Sequence, residues 1–239
     1  MVVPGRSKSL IAALRRHAAL LFGSAAFFWA SLLSVSACAQ SLPAQANLPS
    51  GEFDYWLLAL SWSPQFCRSN PSNSQCKLPL GFVVHGLWPQ YERSHPAYCG
   101  PRQSVPADLA KRMLPLMPGS DLINAQWRKH GTCSGLPMED YFQSVERIWR
   151  KLLIPAPYQQ PEQMLKTNVR AFKAAWRQAN PQFKPDRLVM QCNGRYLREV
   201  RLCLDKDFNA RACGSDVVDA CSANTIYLRP TRENIRNSR

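Results

Sequence analysis

The chain has 239 residues and a formal charge of +14 at neutral pH. That length holds one well-packed domain or at most two small ones, and the lack of a long Gly/Ser linker or an internal repeat excludes a tandem or repeat organisation. The excess of Lys and Arg suits an anionic partner, but charge alone leaves RNA, DNA, lipopolysaccharide, anionic lipid and a merely solvated basic surface open.

The first forty residues form a class of their own. Arg6, Lys8, Arg15 and Arg16 make a basic start, with His17 beside them, and Ala18 to Val35 is apolar and uncharged. Ala37-Cys38-Ala39 then offers small residues where signal peptidase prefers them, so residues 1–39 read as a secretory signal cut before Gln40. The apolar run is close to the roughly 18 residues that span a bilayer, so an uncleaved anchor is the alternative. Val35-Ser36-Ala37-Cys38 also fits a bacterial lipoprotein box, in which Cys38 would carry the lipid. Arg15-Arg16 resembles part of a twin-arginine signal without the rest of its motif. Removal of residues 1–39 takes four basic and no acidic residues, which lowers the charge from +14 to +10 and leaves no membrane-spanning segment.

Phe53 to Trp62 is aromatic and β-prone and reads as a strand stopped by Ser63-Pro64. Phe82-Val83-Val84-His85 reads as a second, short strand with Gly86 near its end. Helical spacing runs over Leu109 to Leu116, around Leu122 to His130, over Met138 to Leu153 and over Val169 to Trp176, the last ending at Asn180-Pro181. In the third of these, Glu139 and Asp140 open the segment and Arg147, Arg150 and Lys151 lie towards its end, which complements the helix dipole. Pro155 to Pro161 is a Pro-rich loop between helices. Arg187 to Cys192, Tyr196 to Leu204 and Thr225 to Leu228 read as strands. Helices in the middle with strands on either side make the class α+β. Leu228 to Arg239 reads as a mobile, Arg-rich tail able to add non-specific RNA affinity.

Eight cysteines lie beyond Cys38: Cys67, Cys76, Cys99, Cys133, Cys192, Cys203, Cys213 and Cys221. An even count in an exported chain implies a disulfide framework, with 105 pairings open. Metal binding is the alternative, but there is no CxxC and the spacings do not match ligand spacings.

Two short segments carry chemistry. One is Phe82-Val83-Val84-His85-Gly86-Leu87-Trp88-Pro89-Gln90. The other is Gln126-Trp127-Arg128-Lys129-His130-Gly131-Thr132-Cys133. Two imidazoles and an ammonium are what cleavage of a phosphodiester by a neighbouring 2′-hydroxyl needs: one ring takes a proton, one gives a proton, and the cation steadies charge on phosphorus. Taken singly, a strand His is more often a hydrogen-bonded core residue, and a helix Lys is as readily an exposed one. Consecutive helical residues point about 100° apart, so Lys129 and His130 can flank a phosphate but cannot act as one fork. His95, in the polar loop Glu92-Arg93-Ser94-His95-Pro96, reads as plain surface.

These segments resemble the paired active-site signatures of the ribonuclease T2 family. The block Tyr55-Trp56-Leu57-Leu58-Ala59-Leu60-Ser61-Trp62-Ser63-Pro64-Gln65-Phe66-Cys67 resembles that family's first strand, and order and spacing agree from about residue 52 to 145. The resemblance implies an antiparallel sheet with helices packed against it. It implies a metal-independent endoribonuclease without cofactor, acting on single-stranded RNA but not DNA through a 2′,3′-cyclic phosphate to 3′-phosphate ends. His85 would be the general acid, His130 the general base and Lys129 the cation. Trp88 would help form a base-stacking site, with Gln90 and Tyr91 at a base edge and Trp127 mainly structural. Implied disulfides are Cys67–Cys76, Cys99–Cys133 and Cys203–Cys213 nested inside Cys192–Cys221. The family's fuller second signature, His-Glu-Trp-x-Lys-His-Gly, has Ala125 and Gln126 here at its first two positions. Gln126 keeps the length and can donate to a phosphate oxygen, but it lacks the charge. The expectation is an exported monomeric enzyme, periplasmic or secreted, with altered rate or pH response. The competing reading is a catalytically impaired RNA- or surface-binding relative of the same fold. No permitted N-x-Ser/Thr sequon occurs, in keeping with a bacterial source.

Overall fold

The computed structural model describes residues 50–221 and 224–232. The chain divides into Met1–Ala44 and Gln45–Arg239, and every described residue belongs to the second unit. The secretory signal read over residues 1–39, with His17 and Cys38, lies outside the described residues.

Eleven elements follow in order: β1 Tyr55–Trp62, α1 Ser63–Ser69, β2 Phe82–Gln90, α2 Ala107–Met113, α3 Ser120–Lys129, α4 Met138–Lys151, β3 Leu165–Thr167, α5 Val169–Ala179, β4 Leu188–Asn193, β5 Tyr196–Leu204 and β6 Ile226–Leu228. The class is α+β. The sheet runs β2-β1-β5-β6-β3, with β4 also on β5. Its pairs are antiparallel except β5 with β6, which meet in parallel at Tyr196 and Tyr227, so the sheet is mixed rather than wholly antiparallel.

Three features depart from the sequence reading. Ser63-Pro64 does end β1, but it also opens α1, because a proline in the first helical turn gives up an N–H that has no intrahelical partner. Strand β2 does not stop near Gly86. It continues to Gln90 through Pro89, which the ladder tolerates because β2 is the sheet's edge. The tail is not free from Leu228 onward. Leu228 ends β6, the Arg229 guanidinium donates from Nε to Gln65 Oε1 at 2.9 Å, and Thr231 is buried with its N–H on Pro161 O at 3.0 Å. Residues 233–239 lie outside the description. The three-residue β3 left no readable period.

Alternation along β1 builds two cores. Leu58 and Leu60 face the helices and pack with Val84, Leu87, Ile123, Tyr141, Phe142, Phe172 and Trp176. Leu57 and Ala59 face the other way, into a smaller cluster with Tyr55, Val189, Cys203 and Val217, against which Trp88 packs. The Tyr141 hydroxyl donates to Leu87 O at 2.8 Å and so ties α4 to the middle of β2. Burial in this core drives the Tyr141 phenol upward, so it stays a neutral donor.

Register in β1–β2 slips once. Ala59 pairs with Gly86 and Leu60 with Val84, which leaves His85 as the extra residue of a β-bulge. A second slip, in β4–β5, pairs Gln191 with Glu199 and Cys192 with Leu197, so Arg198 is extra there. Bulges bend a strand and re-aim a side chain, and they gather beside functional sites.

All eight described cysteines are paired: Cys67–Cys76, Cys99–Cys133, Cys192–Cys221 and Cys203–Cys213. The Cys99–Cys133 bridge closes a separation of 34 residues and holds the loop after β2 to the turn after α3. Loop-closure entropy assigns such a bridge about 3–4 kcal/mol. Replacing both cysteines by serine should lower the free energy of unfolding in urea by that order, and an unchanged midpoint would show that the loop is held without it.

Candidate active site

His85, as the bulge residue of β2, faces the edge-on side of Trp88, with ring centroids 5.2 Å apart and planes at 80°. Its Nδ1 donates to Oε2 of Glu199 on β5 at 2.7 Å, which leaves Nε2 turned away from the carboxylate. Glu199 is 4% exposed. Its second oxygen accepts from Arg201 Nε at 2.7 Å. Burial opposes the charge on Glu199, but the hydrogen bond and charge of His85 and the Arg201 guanidinium outweigh it and hold the carboxyl below its usual range. The side chain of His85 remains 36% exposed.

Helix α3 brings the second segment. Lys129 is its last residue, and His130 is its cap, with non-helical φ and ψ, rather than a helical residue. Leaving the helix turns the His130 ring into the cluster, where it stacks on Trp88 at 5.0 Å with 22° between planes. Trp88 therefore lies between the two imidazoles. His130 is 3% exposed, and its Nδ1 has no hydrogen-bond partner among the described residues. Burial, then Lys129, then His95 and His85 push its pKa down to about 2, so the ring is neutral at ordinary pH.

Gln126, one turn before His130, accepts from Trp88 Nε1 through Oε1 at 2.6 Å. It is buried, and its first duty is to hold the indole. A Cβ on Gly86 would overlap both Gln126 Oε1 and Trp88 Nε1, so only glycine lets strand and helix approach this closely. Gly131 does the same for Trp127, whose ring would be struck by a Cβ there. Trp127 packs in the core beside Tyr141 and Phe142, a structural place as its sequence context suggested.

The structure does not gather every candidate. Gln90 is buried, and its Nε2 donates to the carbonyl of Pro89 at 2.9 Å, while Tyr91 packs against the helix-side core. Among the described residues, no hydrogen bond or ring contact joins either of them to His85 or His130. In the other direction, His95 is exposed, as its polar loop suggested, but it lies beside the site. Its ring lies 5.9 Å from that of His130, and burial with the charges of Lys129 and Arg201 lowers its pKa, against a smaller rise from Asp216. The loop is moored so that this happens: Ser94 N–H donates to Asp216 at 2.7 Å, Tyr98 N–H donates to Lys129 O at 2.9 Å, and both Ser94 and Tyr98 have positive φ. Glu199 and Arg201 were also missed. Their only sequence signal is a group of three charged residues, Arg198, Glu199 and Arg201, in a strand whose remaining residues are apolar or aromatic.

Among the described residues no group of three or more His, Cys, Asp or Glu side chains is placed to hold a metal ion, and no helix is long and apolar enough to cross a membrane.

Two bulged or capped histidines joined by a Trp–Gln bridge over a disulfide-tied sheet define a class, and sequence comparison gives the same one. Residues 53–213 match the Ribonuclease T2 family. A ribonuclease of Aeromonas hydrophila is 35% identical over 205 residues, 79% of this chain and 91% of that protein. A probable ribonuclease of Haemophilus influenzae is 30% identical over 68% of this chain and 61% of its own length. The structure of an RNase-related protein from Calystegia sepium superposes with a TM-score of 0.60 at 23% identity, covering 75% of this chain and 98% of that one. The chain belongs to the ribonuclease T2 family.

The buried neutral His130 has a consequence for stability. Below about pH 6.5 the unfolded chain protonates this imidazole while the folded protein resists until about pH 2, so stability falls as pH falls through that window. The slope approaches about 1.4 kcal/mol per pH unit for one proton. Glu199, with its carboxyl held low, adds acid lability only below about pH 4.5. Urea unfolding of wild type and His130→Gln from pH 6.5 to 4.5 should show a shallower slope for the variant. Parallel slopes would mean that His130 is charged in the folded protein.

Proposed function

We propose that this T2-family endoribonuclease cuts single-stranded RNA by transesterification, with His130 as base, His85 as acid and Lys129 as the phosphate's cation. The neutral His130 Nε2 takes the proton of the 2′-hydroxyl, whose oxygen forms a bond to phosphorus. The bond from phosphorus to the 5′-oxygen breaks, and protonated His85 gives its Nε2 proton to that oxygen. The products are a 2′,3′-cyclic phosphate and a free 5′-hydroxyl. Water then opens the ring with the two imidazoles exchanging roles, leaving a 3′-phosphate. The Lys129 ammonium opposes the charge that builds on the non-bridging oxygens. DNA lacks the internal nucleophile and is not a substrate.

The observation that carries this reading is the different setting of the two rings about Trp88. Burial keeps one neutral, as a base must be, and a buried carboxylate holds the other through Nδ1 so that a proton on Nε2 faces outward. Trp88, between them, and His95, at the rim, are available to the substrate. Gln126 holds Trp88 through Oε1, which leaves its amide N–H groups as donors.

The reading includes export. Residues 1–39 act as a cleaved signal or, with Cys38 lipidated, as the route to an anchor, and the product is periplasmic or secreted. Four disulfides suit an oxidising compartment.

End-group analysis of RNA digested in EDTA should find 2′,3′-cyclic phosphate first and 3′-phosphate later. His85→Ala and His130→Ala should each lower the rate on the order of 10² to 10⁴. Near wild-type cleavage by a folded variant removes that residue from the mechanism, loss of activity in EDTA returns the metal reading, and RNA binding without product favours the non-enzymatic relative.

Gln126 gives a separate test. Gln126→Ala leaves the Trp88 N–H unpaired and should lower kcat/KM on the order of tenfold. Gln126→Glu keeps an acceptor for Trp88 but puts negative charge near His130, favours the imidazolium, and should move the acidic limb of the rate profile to higher pH. Coincident profiles for wild type and both variants would place position 126 outside the reaction's influence.

A further inference from the structure

The recess on the β5 side of His85 holds more positive charge than cutting one phosphodiester uses. It has a volume of about 370 Å³ and is lined by His85, Arg198, Arg201 and Asn193 among others. Glu199 is its only acidic residue, and that carboxylate is already shared between His85 Nδ1 and Arg201 Nε. Neither Lys129 nor His130 lines it.

Arg198 is there because of the bulge in β5. In a regular strand, the neighbour of Glu199 would face the opposite side of the sheet. As the extra residue between Leu197 and Glu199, Arg198 joins Glu199 and Arg201 at the same recess. Its side chain is exposed and has no hydrogen bond or ion pair among the described residues. Arg201 is oriented from two sides, by Glu199 at Nε and by Trp88, whose ring its guanidinium overlies at 5.6 Å. Its terminal nitrogens are bonded to no other described residue. Asn193 adds an amide from the end of β4. Two guanidinium groups, one pre-oriented and both with donors to spare, form a planar-donor site suited to phosphate oxygens.

We propose that this recess is a second phosphate subsite, and that it takes the 3′-phosphate of the leaving nucleotide, the next phosphate along the RNA from the one cut. The inference rests on the assignment of His85 as the group that protonates the departing 5′-oxygen. Given that assignment, the nucleotide beyond the cut lies on the side of His85 away from His130 and Lys129, and the recess opens there. The buried Glu199 then has two effects through its two oxygens: it sets the ring of His85 and it aims Arg201. Binding energy from the second phosphate would favour cleavage within a chain over cleavage of the last linkage.

The test compares a dinucleoside monophosphate with the same compound carrying a 3′-phosphate or a 5′-phosphate. For the wild type, the 3′-phosphate should lower KM on the order of tenfold, an advantage that shrinks as salt is raised. Arg198→Ala should bring the KM ratio of the two substrates close to one, and Arg198→Lys should retain part of it, with thermal melting confirming that both variants fold. A ratio that Arg198→Ala leaves intact, or an advantage given by the 5′-phosphate instead, overturns the subsite. Failure of the wild type to cut the plain dinucleoside monophosphate would overturn the cleavage reading itself, whereas cutting it with no preference for a 3′-phosphate overturns only the subsite.

Discussion

One hydrogen bond joins the two halves of the site: the Trp88 indole to Gln126 Oε1 at 2.6 Å. Trp88 comes from the sheet's edge strand, and Gln126 comes from the helix that delivers Lys129 and His130. The bond forms only because Gly86 offers no Cβ between them. With the indole held, its faces and edge are given to the histidines, one stacked and one perpendicular. Remaining ties act in support. Tyr141 anchors Leu87 from the core, and Cys99–Cys133 closes the far side. A part-buried polar bridge of this kind is costly to break, because the donor left behind is only incompletely solvated.

The sheet supplies direction through its irregularities. Straight alternation would bury or expose His85 and Arg198 according to parity alone. Each is instead the extra residue of a bulge, and each lines the recess beside Glu199. The helix-side core is large and continuous, so the strands have little freedom to slide once Leu58, Leu60, Val84 and Leu87 are packed. A rigid core on one face therefore carries the irregular backbone on the other.

Electrostatics then separates two chemically identical side chains. His130 loses its charge because it is buried beside a lysine and two other imidazoles. His85 keeps an ionised carboxylate at Nδ1. In the proposed reaction this division assigns base and acid without any metal ligand set. Here the buried acid of the cluster is Glu199, which reaches His85 from β5 rather than His130 from α3.

Local chemistry was legible in the chain itself. Helical periods marked α4 and α5, because burial of one face forces that period on a sequence, and a run of aromatic and apolar residues marked β1, which is buried on both faces. The two His-Gly segments declared themselves because each packs several constrained residues into a few positions, and their resemblance to a known family supplied the disulfide pairing that counting left open. Other features were not legible, for a physical reason. Bulges have no composition of their own, so the extra residues His85 and Arg198 looked like ordinary strand positions. Glu199 and Arg201 are distant in sequence from both signatures and meet them only when β5 folds beside β1 and β2, while His95 follows the first signature closely but reaches His130 only through the moored loop. Gln90 and Tyr91 follow Trp88 closely in sequence, yet one is buried with its amide on the Pro89 carbonyl and the other is partly buried against the helix-side core. The sequence by itself determined which residue types were present and the fold class they could build. Which of them share one solvent-facing cluster, and which imidazole stays neutral, was decided by tertiary packing, since burial and charge proximity are properties of neighbours rather than of residues.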